Sequence, residues 1–181
     1  MTDINARSRP AAETSTGAEH AAAQEPIWDI IELLFFAYRD FVGDPDHVLE
    51  SLKFGRAHHR VLHFVSRHPG ITVADLLDIL KITKQSLGRV LKQLVDDGYV
   101  EQREGPHDRR QRLLYVTPNG ESLAMRLARL QTVRINRALG ECGVSGREHA
   151  RRFLSAMINP EHREDVLRLI AEPARARGAR G

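Results

Sequence analysis

The stretch Thr83 to Val95, followed at once by Gly98 and a change of period, constrains this chain more than any other. Leu87, Val90, Leu91, Leu94 and Val95 recur at helical spacing and define a buried stripe, while Lys84, Gln85, Gly88, Arg89, Lys92 and Gln93 share the opposite face. That outer face donates hydrogen bonds and contains no carboxylate. Thr83 is suited to N-capping, and Asp96 and Asp97 arrive only after the periodic part, just before the helix-ending Gly98. Acids there oppose the helix macrodipole, so propensity does not explain the pattern. A face of this kind suits the major groove of DNA, with its phosphates and base acceptors.

Upstream, Thr72-Val73-Ala74-Asp75 forms a capping-box pattern and opens a helix burying Val73, Leu76, Leu77 and Leu80. Lys81-Ile82 is too short for anything but a tight link, and the pair reads as a helix-turn-helix. Downstream, the period becomes alternating: a strand over Tyr99 to Arg103, a turn from Glu104 to Arg110 holding Gly105-Pro106, and a return strand over Arg112 to Val116. Arg103, Arg109, Arg110 and Arg112 make this hairpin basic and place it beside the helix that would enter the groove.

The flanks are helical. Pro26 opens a helix with Ile27, Ile30, Ile31, Leu34, Phe35, Tyr38 and Phe41 on one stripe and Trp28, Phe36 and Val42 off it, ending near Gly43. A helix apolar on more than one side must be covered on more than one side, which predicts a dimer interface. Asp44-Pro45-Asp46 reads as a break, with a short turn of helix over His47 to Lys53. Arg56 to Arg67 reads as the next helix, stopped by His68-Pro69-Gly70. Thr117-Pro118 starts a long helix to about Leu139. Ser145 to Glu148 looks like a second capping box, opening a helix with Phe153, Leu154, Met157 and Ile158 inside, and Val166, Leu167, Leu169 and Ile170 mark a last short one after Asn159-Pro160.

With 181 residues, 41% of them hydrophobic, the chain supports one modest core with helical extensions. The formal charge of +3 and a pI near 9.3 are mildly basic. No apolar run reaches the roughly 18 residues of a membrane span, and Met1 to Gln24 lacks the apolar core of a signal peptide. Cys142 is the single cysteine and cannot form an intrachain disulfide. A soluble cytoplasmic protein with no membrane partner is expected. No nucleophile elbow or phosphate loop is present, so catalysis is not expected.

The segments Gly70 to Leu76 and Leu91 to Val100 resemble the winged helix-turn-helix of the MarR family of bacterial transcriptional regulators. Asp108-Arg109-Arg110-Gln111-Arg112-Leu113-Leu114-Tyr115-Val116-Thr117-Pro118-Asn119-Gly120 is similar to that family's wing signature, with Val116 where Leu is usual. Phe54 to Leu62 looks most like the PetP-type members. The resemblance spans roughly residues 26 to 158 and leaves Pro160 onward without a role. It implies a mainly α fold with a small β-hairpin wing, a winged helix-turn-helix carrying N- and C-terminal dimerisation helices. The implied organisation is a disordered tail over 1–25, a dimerisation helix and linker over 26–55, the DNA-binding domain over 56–117, dimerisation helices over 118–172, and a basic flexible tail over 173–181.

The resemblance further implies a homodimer on double-stranded DNA at a pseudo-palindromic operator, usually as a repressor. Two-fold symmetry spaces two recognition helices about one DNA turn apart, which predicts a site of roughly 16 to 22 base pairs. Carried onto this chain, Thr83, Lys84, Gln85, Ser86, Arg89 and Lys92 would meet the major groove, with Arg109, Arg110 and Arg112 on the wing and Asp108 orienting it. A small-molecule inducer is the further partner implied, and Trp28, Phe35, Tyr38, His58 and His59 could line its cleft. His59 and His63 stand at metal-ligand spacing beside His58, the basis for a metal- or haem-responsive alternative, but no cysteine or Glu-x-x-His cluster supports them. No cofactor or metal is expected. A winged-helix protein-interaction module is the other alternative.

Overall fold

The computed structural model describes residues 25–106 and 111–171. The terminal tails expected over 1–25 and 173–181 therefore lie outside it, apart from Glu25, as do Asp108, Arg109 and Arg110. Among the described residues, those up to Ala37 and those from Tyr38 onward form two compact units. The elements in order are α1 (Trp28–Glu50), α2 (Arg56–Arg67), β1 (Ile71–Thr72), α3 (Val73–Leu80), α4 (Lys84–Asp96), β2 (Val100–Glu104), β3 (Arg112–Val116), α5 (Pro118–Glu141), α6 (Gly146–Met157) and α7 (Pro160–Ala171). No helix among the described residues is long and apolar enough to cross a membrane.

The core lies within the second unit. Val61, Leu62 and Val65 of α2, Leu76 and Leu80 of α3, and Leu87, Val90, Leu91 and Leu94 of α4 are buried together, with Leu114 of β3 and Leu123 and Leu127 of α5. Those of α3 and α4 belong to the stripes predicted from helical spacing. The sheet is antiparallel in the order β1-β3-β2. The wing register runs from Val100 opposite Val116 to Glu104 opposite Arg112.

Four local expectations are corrected. Pro45 does not break the chain, because α1 runs through it as one helix of 23 residues. An internal proline costs a helix about 3 kcal/mol. Here Val42, Pro45 and Leu49 are buried on one side, and Arg134 of α5 clasps Asp44 through Nε (2.8 Å) and a terminal nitrogen (2.9 Å). Packing of residues remote in sequence thus holds the helix past its weakest point. Second, Ile71 and Thr72 form a strand, paired with Leu114 and Leu113; a two-residue strand has no period to read. Third, Ser145 makes no side-chain cap bond, and its carbonyl instead accepts from the His149 N–H at 3.0 Å. Fourth, the first wing strand begins at Val100 rather than Tyr99.

The predicted caps on the helix-turn-helix form. Thr72 Oγ1 accepts from the Asp75 N–H at 3.1 Å and the Asp75 carboxylate accepts from the Thr72 N–H at 3.0 Å. Thr117 Oγ1 accepts from the Gly120 N–H at 3.1 Å to start α5. Gly120 is confined to glycine by space, since a Cβ there would lie 2.0 Å from the Tyr99 carbonyl oxygen. That close approach ties the base of the wing to α5.

Candidate nucleic-acid interface

The start of α4 is set by Thr83, whose Oγ1 accepts from the Ser86 N–H at 3.2 Å and whose hydroxyl donates to Ser86 Oγ at 3.0 Å. Leu87, Val90, Leu91 and Leu94 seat the helix on the core. The other side is left outward: Thr83, Lys84, Gln85, Gly88, Arg89 and Lys92 are exposed and Ser86 partly so. Lys92 pairs with Asp96 one turn on, and that carboxylate, donating no bond itself, raises the lysine pKa. Asp96 at the end of α4 thus orients Lys92 along the helix, a role the sequence pattern does not reveal.

Gln93 departs from the outer face to which its spacing assigns it. Its side-chain oxygen lies 2.9 Å from His58 Nε2, and its amide nitrogen donates to the Lys53 carbonyl at 3.4 Å. His58 Nδ1 accepts from the Gly55 N–H at 3.1 Å, which leaves Nε2 to carry the proton and donate to Gln93. The ring stacks on Phe54 with centroids 4.8 Å apart. A chain of bonds therefore runs from the start of α2 through His58 to the middle of α4. Gly55 has no side chain to cap α2, so His58 performs that task from the N3 position.

The other predicted positions lie on different elements. Trp28, Phe35 and Tyr38 are exposed on α1, and His58 is engaged inside the helix-turn-helix. His59 is half-buried on α2, where burial lowers its pKa against a smaller upward pull from Asp46. His63 is lowered too, first by burial and then by His59, Arg67 and His68. No group of histidine, cysteine and acidic residues among the described residues could hold a metal. Cys142 is exposed at the end of α5.

On the wing, Arg112 donates to Glu104 at 3.1 Å. Arg103 pairs with Glu101 and lies over the Tyr115 ring, 4.3 Å from its centroid. Both described wing arginines are therefore paired with the hairpin's own carboxylates, Arg103 within its strand and Arg112 across to the facing one. Lys84 from the start of α4 and Arg112 from the wing border one cleft of about 420 Å³ with Thr72, Val73, Ala74 and Leu77. The fold thus gathers cations from α4 and the wing that lie far apart in sequence.

A helix-turn-helix followed by a two-stranded wing whose sheet is completed by β1, with a donor-bearing helix facing outward, defines a winged helix-turn-helix protein. The family model described as MarR family matches residues 53–111. The HTH-type transcriptional regulator PetP of Rhodobacter capsulatus is 47% identical over 133 residues, 74% of this chain and 80% of that protein. This chain belongs to the MarR family of helix-turn-helix transcriptional regulators. The fold is shared with a Listeria monocytogenes MarR-family protein complexed with 26mer DNA, at 19% identity and a TM-score of 0.64 over 80% of this chain and 93% of that one. It is shared also with a Mycobacterium tuberculosis MarR family protein in complex with salicylic acid, at 21% identity and a TM-score of 0.53 over 75% of this chain and 98% of that one.

Proposed function

We propose that this regulator binds a two-fold-symmetric DNA operator as a homodimer, represses transcription from it, and is released by a small molecule. The observation that carries the reading is the outward face of α4, where Lys84, Gln85, Arg89 and Lys92 are exposed with no carboxylate before Asp96. Gln85 and Arg89 read base edges, for which their planar forked groups are suited. Lys92 and Arg112 hold phosphate, and Thr83, Lys84 and Ser86 at the helix start place their donors where a phosphate would lie. Arg110 enters the minor groove, Arg109 adds positive charge beside it, and Asp108 serves to orient Arg110.

Dimerisation is supported by α1, which is apolar on more than one side and on which Trp28, Leu33, Phe35 and Tyr38 are each more than half exposed. That face, with the helices over 118–172, forms the contact with the second copy. The DNA-bound Listeria relative supports the DNA ligand, and the salicylic acid complex supports control by a small molecule. Cytoplasmic residence follows from the task.

Selection from a random-sequence DNA pool at near-physiological salt tests the reading, and a palindromic consensus of roughly 16 to 22 base pairs is the expected result. On that consensus Arg89→Ala costs about 1–3 kcal/mol and flattens base preference, whereas Arg112→Ala weakens all sequences alike. An asymmetric A·T-rich preference lost in moderate salt would overturn it.

A further inference from the structure

The outward polar groups of this interface fall into two kinds. Gln85 and Arg89, the groups suited to base edges, have no side-chain hydrogen bond or ion pair among the described residues, and neither has Lys84. Lys92 and Arg112, the two groups given to phosphate, are each already held by a carboxylate of their own helix or hairpin. Lys92 pairs with Asp96 one turn along α4. Arg112 donates to Glu104 at 3.1 Å, its directly opposite neighbour in the wing register. Arg112 also borders a cleft with Lys84 and Thr72, so its pair stands beside the start of α4.

The four side chains are each about half exposed or more, and ion pairs so exposed add little to stability. The fold does not need these two carboxylates, and on a face that meets a polyanion each one subtracts from the attraction. How much it subtracts depends on how closely the DNA sits. On a duplex whose bases Gln85 and Arg89 do not match, nothing fixes the depth of α4, phosphates stay across a layer of water, and the nearer carboxylate keeps the cation. On a matched site the base contacts fix the helix, phosphate comes within contact distance, and it replaces the carboxylate as the cation's partner. Each pair therefore cancels one positive charge in the loose complex and returns it in the tight one.

On the DNA-binding reading above, we propose that Asp96 and Glu104 are specificity-determining residues, which withhold Lys92 and Arg112 from non-cognate DNA and yield them to the phosphates of the operator. The same two elements contain a matched pair of control positions. Glu101 stands opposite Tyr115 and pairs with Arg103, and strand alternation puts both on the other face of the hairpin from Glu104 and Arg112. Asp97, next to Asp96, is exposed and has no ion pair among the described residues.

Binding of the full-length protein to the selected consensus duplex and to a scrambled duplex of the same length and composition, measured against salt concentration, tests this. Wild type is compared with Asp96→Asn combined with Glu104→Gln, and with the control Asp97→Asn combined with Glu101→Gln, which removes the same charge from the same helix and hairpin. In the first variant scrambled DNA should bind roughly tenfold tighter and the consensus no more than about twofold tighter, so the specificity ratio falls about fivefold. Its salt slope on scrambled DNA should steepen by about 0.9 for every cation released to phosphate, with the slope on the consensus unchanged. The control should keep the wild-type ratio. All four substitutions are isosteric and exposed, and far-UV melting checks that each variant is folded. Equal tightening on both duplexes in the first variant, unchanged binding of the scrambled duplex, or the same fall in ratio in the control would overturn the proposal. A wild-type protein without preference for any sequence is a distinct failure, since it removes the operator reading itself and leaves no specificity for these residues to determine.

Discussion

Helices α4 and α1 both present a whole face to solvent, and the faces are opposite in kind. On α4 the exposed residues are Lys84, Gln85, Arg89 and Lys92, over a base of fully buried leucines. On α1 they are Trp28, Leu33, Phe35 and Tyr38, and burial begins only at Val42. A donor-bearing face is stable in water alone, because water satisfies every group on it, and it gains when a polyanion replaces that water. An aromatic face gains nothing from water and drives association until it is covered. The contrast separates a surface built for a charged partner from one built for another apolar surface.

The comparison can be broken first at its foundation. Leu94→Ala beneath α4 should cost about 2–5 kcal/mol of stability, measured by denaturant unfolding, because a fully buried leucine leaves a cavity that the surrounding helices only partly close. The corresponding change on α1 should leave the fold standing. Trp28→Ala with Phe35→Ala should each weaken self-association by about 2 kcal/mol, read by sedimentation against concentration, as expected of aromatic anchors at an interface. A monomeric wild-type protein at all concentrations would remove the contrast.

A smaller effect sharpens the α4 side. His58→Phe keeps the stack on Phe54 but deletes the bonds to Gly55 and Gln93, and should cost about 1 kcal/mol in thermal unfolding together with a measurable loss of DNA affinity. An unchanged DNA affinity would mean that the bond chain supports α2 alone.

The smallest effect is on pH dependence. Burial lowers the folded-state pKa of His59 below its ordinary value of 6.5, so between the two values the unfolded chain binds more protons. Stability contributed by the neutral ring is complete above the unfolded pKa and declines as pH falls through that window. His59→Gln should flatten the decline in denaturant midpoint between pH 7.5 and pH 5.5, and a slope identical to wild type would contradict the assignment. The Asp44 carboxylate, lowered first by its hydrogen bond from Arg134, contributes its loss only at more acidic pH.

What the sequence determined by itself was the local chemistry. The period of Leu87, Val90, Leu91 and Leu94, the caps at Thr72, Thr83 and Thr117, and the change to alternation after Gly98 are encoded within a few residues of where they act, so they can be read without a fold. Those signals were enough to place the helix-turn-helix and the wing. Tertiary structure decided what depends on distant partners. Pro45 stays inside α1 because Arg134, 90 positions later, clasps Asp44; Gln93 turns inward because His58, 35 positions earlier, accepts the role of cap and partner. Ile71 and Thr72 become a strand only because β3 offers an edge. Period and capping are short-range forces written in neighbouring residues, whereas a clasp or a shared edge belongs to pairs of segments and appears only when the chain brings them together.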